Sequence, residues 1–261
     1  MASISCAGSD VGTVFGAPHP GLDAIVARQY AGWTMRPDRT DRFVVPAHTS
    51  VQLVIKIEDS AVRPSEFVCG AADRYADFDG GCAPRYLQVE LTPLGAYRIL
   101  GLPMREIGGR LIDLADLLGA QSGRLGDAVR DAPNWDSRFE AVDRFLLGLA
   151  NAGPVVSEHI DFAWRELSRS GGAAGIGAIC REIGWSHKHL IERFREQIGL
   201  TPKRAARVIR FEGLLRRLDG VPPDSWSLVA ADCGYSDQAH LIRDFAAFAG
   251  STPSAAASLT A

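Results

Sequence analysis

Between Ser50 and Ile57 the chain reads Ser-Val-Gln-Leu-Val-Ile-Lys-Ile, partly alternating and rich in β-branched residues, which is the pattern of a strand. Tyr86 to Leu91 alternates polar with apolar residues and predicts another strand. Pro64, Gly70, Gly80-Gly81 and Pro84 punctuate the stretches between them. From Pro93 the pattern turns helical. Pro93 suits the first turn of a helix carrying Leu94, Tyr97, Ile99 and Leu100. Leu111, Leu114, Leu117 and Leu118 fall at helical spacing, and 138–150 and 155–167 predict two further amphipathic helices. Ser168 to Gly175 is a run of small residues with the composition of a linker.

Beyond that run the chain repeats itself. Ile179-Cys180-Arg181-Glu182-Ile183-Gly184-Trp185-Ser186 is echoed by Val229-Ala230-Ala231-Asp232-Cys233-Gly234-Tyr235-Ser236, 50 residues on. Each copy continues with an apolar pair, Leu190 and Phe194 or Leu241 and Phe245. Each closes on a turn, Gly199-Leu200-Thr201-Pro202 or Gly250-Ser251-Thr252-Pro253. Here the offset is 51, so one residue is expected to be inserted early in the later helix of the second copy. The physics is the same in both. Glycine accepts the left-handed conformation that stops a helix, the aromatic residue packs back, and Ser186 or Ser236 caps the next helix. Two apolar residues four apart hold that helix to the first and leave its other faces free. A plain helical bundle with a duplicated hairpin would share the pattern. The agreement at seven kinds of position favours two helix-turn-helix units.

Between the copies, Pro202 to Asp219 predicts a helix with Val208, Ile209, Leu214, Leu215 and Leu218 apolar and six basic positions. About 17 residues at ~1.5 Å each span roughly 25 Å. Such a spacer suits two helices reading major-groove segments one duplex turn apart, ~34 Å. The expected fold is therefore α+β. A mixed, β-rich N-terminal domain with following helices precedes an all-α domain of two helix-turn-helix units joined by a long helix. The expected division is 1–168 for a regulatory, sensor or dimerisation domain, 169–175 for the linker and 176–261 for the DNA-binding domain.

Charge changes the picture by its distribution. The net charge of -3 does not suit a general nucleic-acid coat. Residues 1–169 carry a net -5 and 170–261 a net +2, and within 181–217 ten basic residues face four acidic ones. No apolar run reaches the ~18 residues of a membrane span and no export signal is legible, so the expected location is the cytoplasm. Cys6, Cys69, Cys82, Cys180 and Cys233 are odd in number and widely spread, which suits free thiols better than a disulfide framework or a zinc site.

The region from about Ile176 to Ala256 resembles the DNA-binding domain of the AraC/XylS family. Ala230, Gly234-Tyr235, Phe245 and Gly250-Ser251-Thr252-Pro253 match the pattern of that family's second unit. It departs at Ala205, where an aromatic is common, and at Ser254-Ala255-Ala256-Ala257, where Tyr-Arg is usual. Over roughly 20–150 the chain also resembles the N-terminal domain of some actinobacterial AraC-like regulators, through Val89 to Tyr97, Gly101-Leu102-Pro103 and Leu111-Ile112-Asp113-Leu114. The resemblance implies two recognition helices. His187, Lys188, Ile191 and Glu192 face the groove on the first, and Gln238, Ala239, His240, Ile242 and Arg243 on the second. Arg can pair with guanine and Gln with adenine. Arg193, Arg195, Lys203 and Arg204 suit phosphate contacts, which position without specifying sequence. The implied partner is double-stranded DNA at an operator or promoter. RNA polymerase, a small-molecule effector and a second copy of the chain are further partners of such a regulator. It needs no cofactor and no membrane.

Other readings use other residues. His187 and His189 could be taken for a metal pair, but two apart on a helix they point in different directions. Trp185 and Tyr235 could stack on bases, but their place after the glycine stop suits core packing better. A cysteine-dependent enzyme would draw on His48, Cys69, Asp73 and Cys82, with Asp77 and Asp79 for a cation, yet none of these forms a catalytic motif. A helical protein-interaction module without DNA binding is the remaining alternative.

Overall fold

The computed structural model describes residues 12–34, 43–58, 63–78, 85–218, 225–253 and 255. Cys6, Cys82, Asp79 and the Gly80-Gly81 turn lie outside the described residues. The N-terminal half is built on a six-stranded antiparallel sheet. Its strands are β1 (Val14–Gly16), β2 (Tyr30–Thr34), β4 (Val51–Lys56), β5 (Glu66–Cys69), β7 (Arg85–Leu91) and β8 (Leu111–Asp113), in the order β1-β2-β7-β4-β5-β8. A separate pair joins β3 (Phe43–Val45) to β6 (Ala76–Phe78).

Strand β4 is central, with Leu53 opposite Val89 on one side and Val68 on the other. All six of its residues are buried, which is why its sequence alternates only in part. Leu53 and Ile55 enter the main apolar core, while Val54 packs with Phe67 and Tyr86 on the opposite face. Gln88 and Gln52 are buried too and linked, Gln88 Nε2 donating to Gln52 Oε1 at 2.7 Å and Gln52 Nε2 to the Ser50 hydroxyl at 2.8 Å.

Helix α1 (Pro93–Leu100) starts as the sequence predicts. The Thr92 side chain accepts from the Gly95 amide, Pro93 occupies the first turn, and Gly101 stops the helix at φ 67°. The expectation of one helix over 111–118 is corrected. Leu111–Asp113 pair with β5 as the edge strand β8, Ile112 opposite Val68, and only Leu114–Leu118 (α2) are helical, capped by the Asp113 side chain. Pairing with an exposed sheet edge outweighs helical spacing over so short a run. Helix α3 (Ala120–Asp131) has no strong apolar stripe. It buries Ser122, Leu125, Gly126 and Val129 at positions three and four apart. Gly126 permits this approach, since a Cβ there would lie 1.8 Å from Glu66 Oε1. Helix α4 (Trp135–Ala150) completes the cover, sending Phe139, Val142 and Leu146 into the main core.

The remaining helices are α5 (Glu158–Arg169), α6 (Ile176–Ile183), α7 (His187–Ile198), α8 (Pro202–Leu218), α9 (Trp226–Asp232) and α10 (Gln238–Ala249). They share one core, in which Ile160 and Leu167 of α5 meet Leu190, Phe194, Val208, Phe211, Leu241 and Phe245. Helix α5 therefore packs with the helices that follow the 169–175 segment. That segment is itself held down. Gly172 lies so close to α8 that a Cβ would be 2.1 Å from the Ala206 carbonyl oxygen, and its own carbonyl accepts from Arg210.

Candidate nucleic-acid interface

Two helix pairs, α6–α7 and α9–α10, flank the long helix α8. In the first, Gly184 stops α6 at φ 69°, and the Ser186 hydroxyl caps α7 by accepting from the His189 amide at 3.2 Å. In the second, Gly234 has φ 73°, but the cap differs from the expected Ser236. Asp237 takes that place, its carboxylate accepting from the His240 amide at 2.7 Å. The extra residue of the second copy thus sits in the turn before α10, not inside the helix. A carboxylate capping an exposed helix start is a strong arrangement. Its charged form accepts the amide bond, and this holds the Asp237 carboxyl below the usual range.

The inner faces are fixed by apolar burial. Leu190, Phe194 and Ile198 of α7 are inaccessible to solvent, and Leu241, Phe245 and Phe248 of α10 are buried. The outer face of α7 exposes His187, Lys188, Ile191, Glu192 and Arg195. The outer face of α10 exposes Gln238, Ala239 and Arg243, while His240 and Ile242 are half-buried. His240 is engaged locally. Its ring meets Tyr235 edge-on at 5.2 Å, and its Nδ1 lies 3.2 Å from the Ser236 hydroxyl. Gln238 accepts from the Ser227 hydroxyl at 3.1 Å.

The four basic residues read as phosphate contacts divide. Lys203 and Arg195 are exposed. Arg193 is half-buried and pairs with Glu196 at 2.5 Å. Arg204 pairs with Asp73 of the N-terminal domain at 2.8 Å. Trp185 is sandwiched, stacked on His159 of α5 at 4.8 Å and touched edge-on by His189 at 4.3 Å. Tyr235 is buried beneath Arg210, whose guanidinium lies 5.4 Å from the ring centroid. Both aromatics brace the turns.

One feature on α10 has no sequence signal. Asp244 is 3% exposed and pairs with Arg207 of α8 at 2.6 Å, while Arg207 also covers the Phe248 ring at 5.1 Å. Its second carboxylate oxygen has no hydrogen-bond partner among the described residues, and neither has the Tyr235 hydroxyl. Burial pushes that hydroxyl's pKa up, as does the nearby Asp244 charge. The basic stripe of α8 was legible; that one member reaches a buried acid 37 positions on was not.

The two domains touch at several polar points. Glu212 of α8 accepts from the Thr49 amide at 2.7 Å and from its hydroxyl at 3.1 Å. The Ala47 amide donates to the Phe248 carbonyl. Beside Thr49 lies a cavity of about 310 Å³ that Glu90 and Glu212 both line. Burial raises the pKa of each, opposed at Glu212 by the bonds from Thr49 and at Glu90 by Arg28. Cys69 and His48 line another cavity wall together, but burial pushes the thiol up to about 11 and lowers the imidazole. The thiol is thereby held in its protonated, weakly nucleophilic form. Among the described residues there is no cluster of three potential metal ligands, and no helix long and apolar enough to cross a membrane.

Residues 179–258 match the family model described as Helix-turn-helix domain, and residues 16–113 match the Domain of unknown function (DUF6597). No curated protein matches the chain. Solved structures of ToxT from Vibrio cholerae overlie it loosely. Apo ToxT is 11% identical over 89% of this chain and 97% of that one, with a TM-score of 0.49. ToxT bound to (E)-4-(8-methylnaphthalen-1-yl)but-3-enoic acid is 12% identical over 89% and 99%, with a TM-score of 0.48. Likeness at this level leaves the role of each residue to be argued from the chain itself. By its domain matches the chain carries an N-terminal domain of the DUF6597 family ahead of an AraC-type helix-turn-helix domain.

Proposed function

We propose that the protein is a sequence-specific transcription regulator in which α7 and α10 read successive major-groove segments of one duplex. The observation that carries this reading is the division of both helices into a buried apolar face and an exposed polar one. Helix α8 supports it, since 17 residues give a rigid spacer of roughly 25 Å. His187, Lys188, Ile191 and Glu192 are assigned to base edges on α7. Gln238, Ala239 and Arg243 are assigned to them on α10, with His240 and Ile242 at the margin because they are half-buried. Arg195 and Lys203 are the readiest phosphate contacts. Arg193 and Arg204 would first have to leave Glu196 and Asp73. The DNA-binding unit is taken to begin at α5, which shares its core.

Control passes through the N-terminal domain in this reading, because the Thr49–Glu212 and Asp73–Arg204 contacts tie that domain to α8. A small-molecule effector would act there. RNA polymerase and a second copy of the chain are the further partners a regulator of this kind would take.

The test is duplex selection from a random pool, followed by binding of variants to the selected site. Arg243→Ala should relax preference at one base position and cost about 1–3 kcal/mol. Lys203→Ala should weaken binding to all sequences alike and shallow the salt dependence. If no duplex is selected and retention requires a protein partner, the helical interaction module replaces the regulator.

A further inference from the structure

A second cavity opens between the domains beside the C-terminal end of α7, with a volume of about 440 Å³. Arg74, Arg105 and Arg110 reach it from the N-terminal domain, and Arg195 and Arg204 from the DNA-binding domain; the acidic residue lining it is Asp73. This is a marked concentration in a chain of net charge -3. Asp73 pairs with Arg204 at 2.8 Å and approaches Arg74 at 4.0 Å. Among the described residues no carboxylate lies within ion-pair distance of Arg105, Arg110 or Arg195. Guanidinium groups brought together across an interface repel one another, and the local positive potential draws an anion.

The walls suit close approach. Gly70, Gly108, Gly109 and Gly199 all line the cavity, so backbone replaces side chains along much of it. Gly109 stands at φ 63°, with nothing within 4 Å of where a Cβ would project. Ligand sites for small molecules commonly enclose about 300–1,000 Å³, and this cavity falls in that range.

We infer that this cleft binds a small organic phosphate, held by guanidinium groups of both domains at once. A phosphoryl group carries about -1.5 to -2 charge and three acceptor oxygens, a better match to five arginines and one carboxylate than a monocarboxylate is. A ligand gripping Arg105 and Arg110 on one side and Arg195 on the other would fix the domains relative to each other. It would also compete with Asp73 for Arg204. The binding does not depend on the regulator reading.

The probe is inorganic pyrophosphate, titrated calorimetrically into the full chain at constant ionic strength without DNA. Saturable binding at one site is expected. It should weaken about tenfold or more in Arg105→Gln/Arg110→Gln, both exposed positions, since each bond to a charged group is lost. Asp73→Asn should tighten it. Duplex affinity of the double variant should stay at the parent value. Absence of saturable heat at millimolar pyrophosphate overturns the inference. So does a double variant that binds pyrophosphate as before but loses duplex affinity, which would make the arginines part of the DNA track. A chain that binds pyrophosphate and no duplex would leave the site standing and remove the regulator instead.

Discussion

The two helix-turn-helix units use one recipe and are anchored differently. Allowing for the extra residue in the second turn, Leu190 matches Leu241, Phe194 matches Phe245 and Gly199 matches Gly250. By the same alignment Arg193 matches Asp244. On α7 that position is half-buried and its arginine pairs with Glu196 three residues on. On α10 it faces α8, and its carboxylate is buried against Arg207. The first unit instead leans on the N-terminal domain, where the Gly199 Cβ position lies 3.1 Å from the Met104 carbonyl oxygen. A repeat thus conserves the apolar contacts that make the hairpin, while the polar contacts that orient it depend on its neighbours.

The comparison is tested most sharply at the matched pair. Asp244→Ala should cost about 2–3 kcal/mol, because it removes a hydrogen bond between charged groups and strands part of Arg207. Arg193→Ala should cost less than about 0.5 kcal/mol, as i,i+3 pairs along one helix in reach of solvent do. Denaturant midpoints measure both, and equal costs would show that the two anchors do not differ. At the turns the units should behave alike. Gly184→Ala and Gly234→Ala each force an alanine into the left-handed region at about 1–2 kcal/mol. Space is not the obstacle, since a Cβ would meet nothing within 4 Å at Gly184 and only Arg210 Nε at 3.7 Å at Gly234. An unchanged midpoint in either variant would contradict the helix-stop role there.

The caps separate the units again. Ser186→Ala should cost about 1 kcal/mol at any pH, since a hydroxyl does not titrate in the stable range. Asp237 has a folded pKa below its ordinary 3.8, so its contribution is present above that value and is lost as pH falls through the folded pKa. The stability difference between parent and Asp237→Ala should therefore vanish on acidification, while that of Ser186→Ala persists. A pH-independent gap for both would remove Asp237 as the charged cap.

Legibility followed sequence distance. The strand at 51–56, the helix from Pro93, the glycine stops and the apolar pairs of α7 and α10 rest on interactions within a few residues, and the pattern reports those directly. Helix α3 was invisible because its contact with the sheet relies on Gly126 and Ser122, which leave no apolar stripe. Leu111 was misassigned because a helical period and an edge strand look alike until Cys69 stands opposite it. The candidate readers of DNA were legible by register, but the pairing of Arg204 with Asp73 and the local ties of His240 were not. Those partners come from a distant loop and from the precise turn geometry.

Sequence alone therefore determined the two hairpins, their stops and the helix between them, because backbone conformation and helical period are set by near neighbours. Tertiary structure decided which charges are spent inside the molecule and which remain for a ligand. It tied Arg207 and Arg204 to acids from other elements, and gathered Arg105, Arg110 and Arg195 around one cleft. Coulombic partners are chosen by distance in space, and the chain order does not encode that distance.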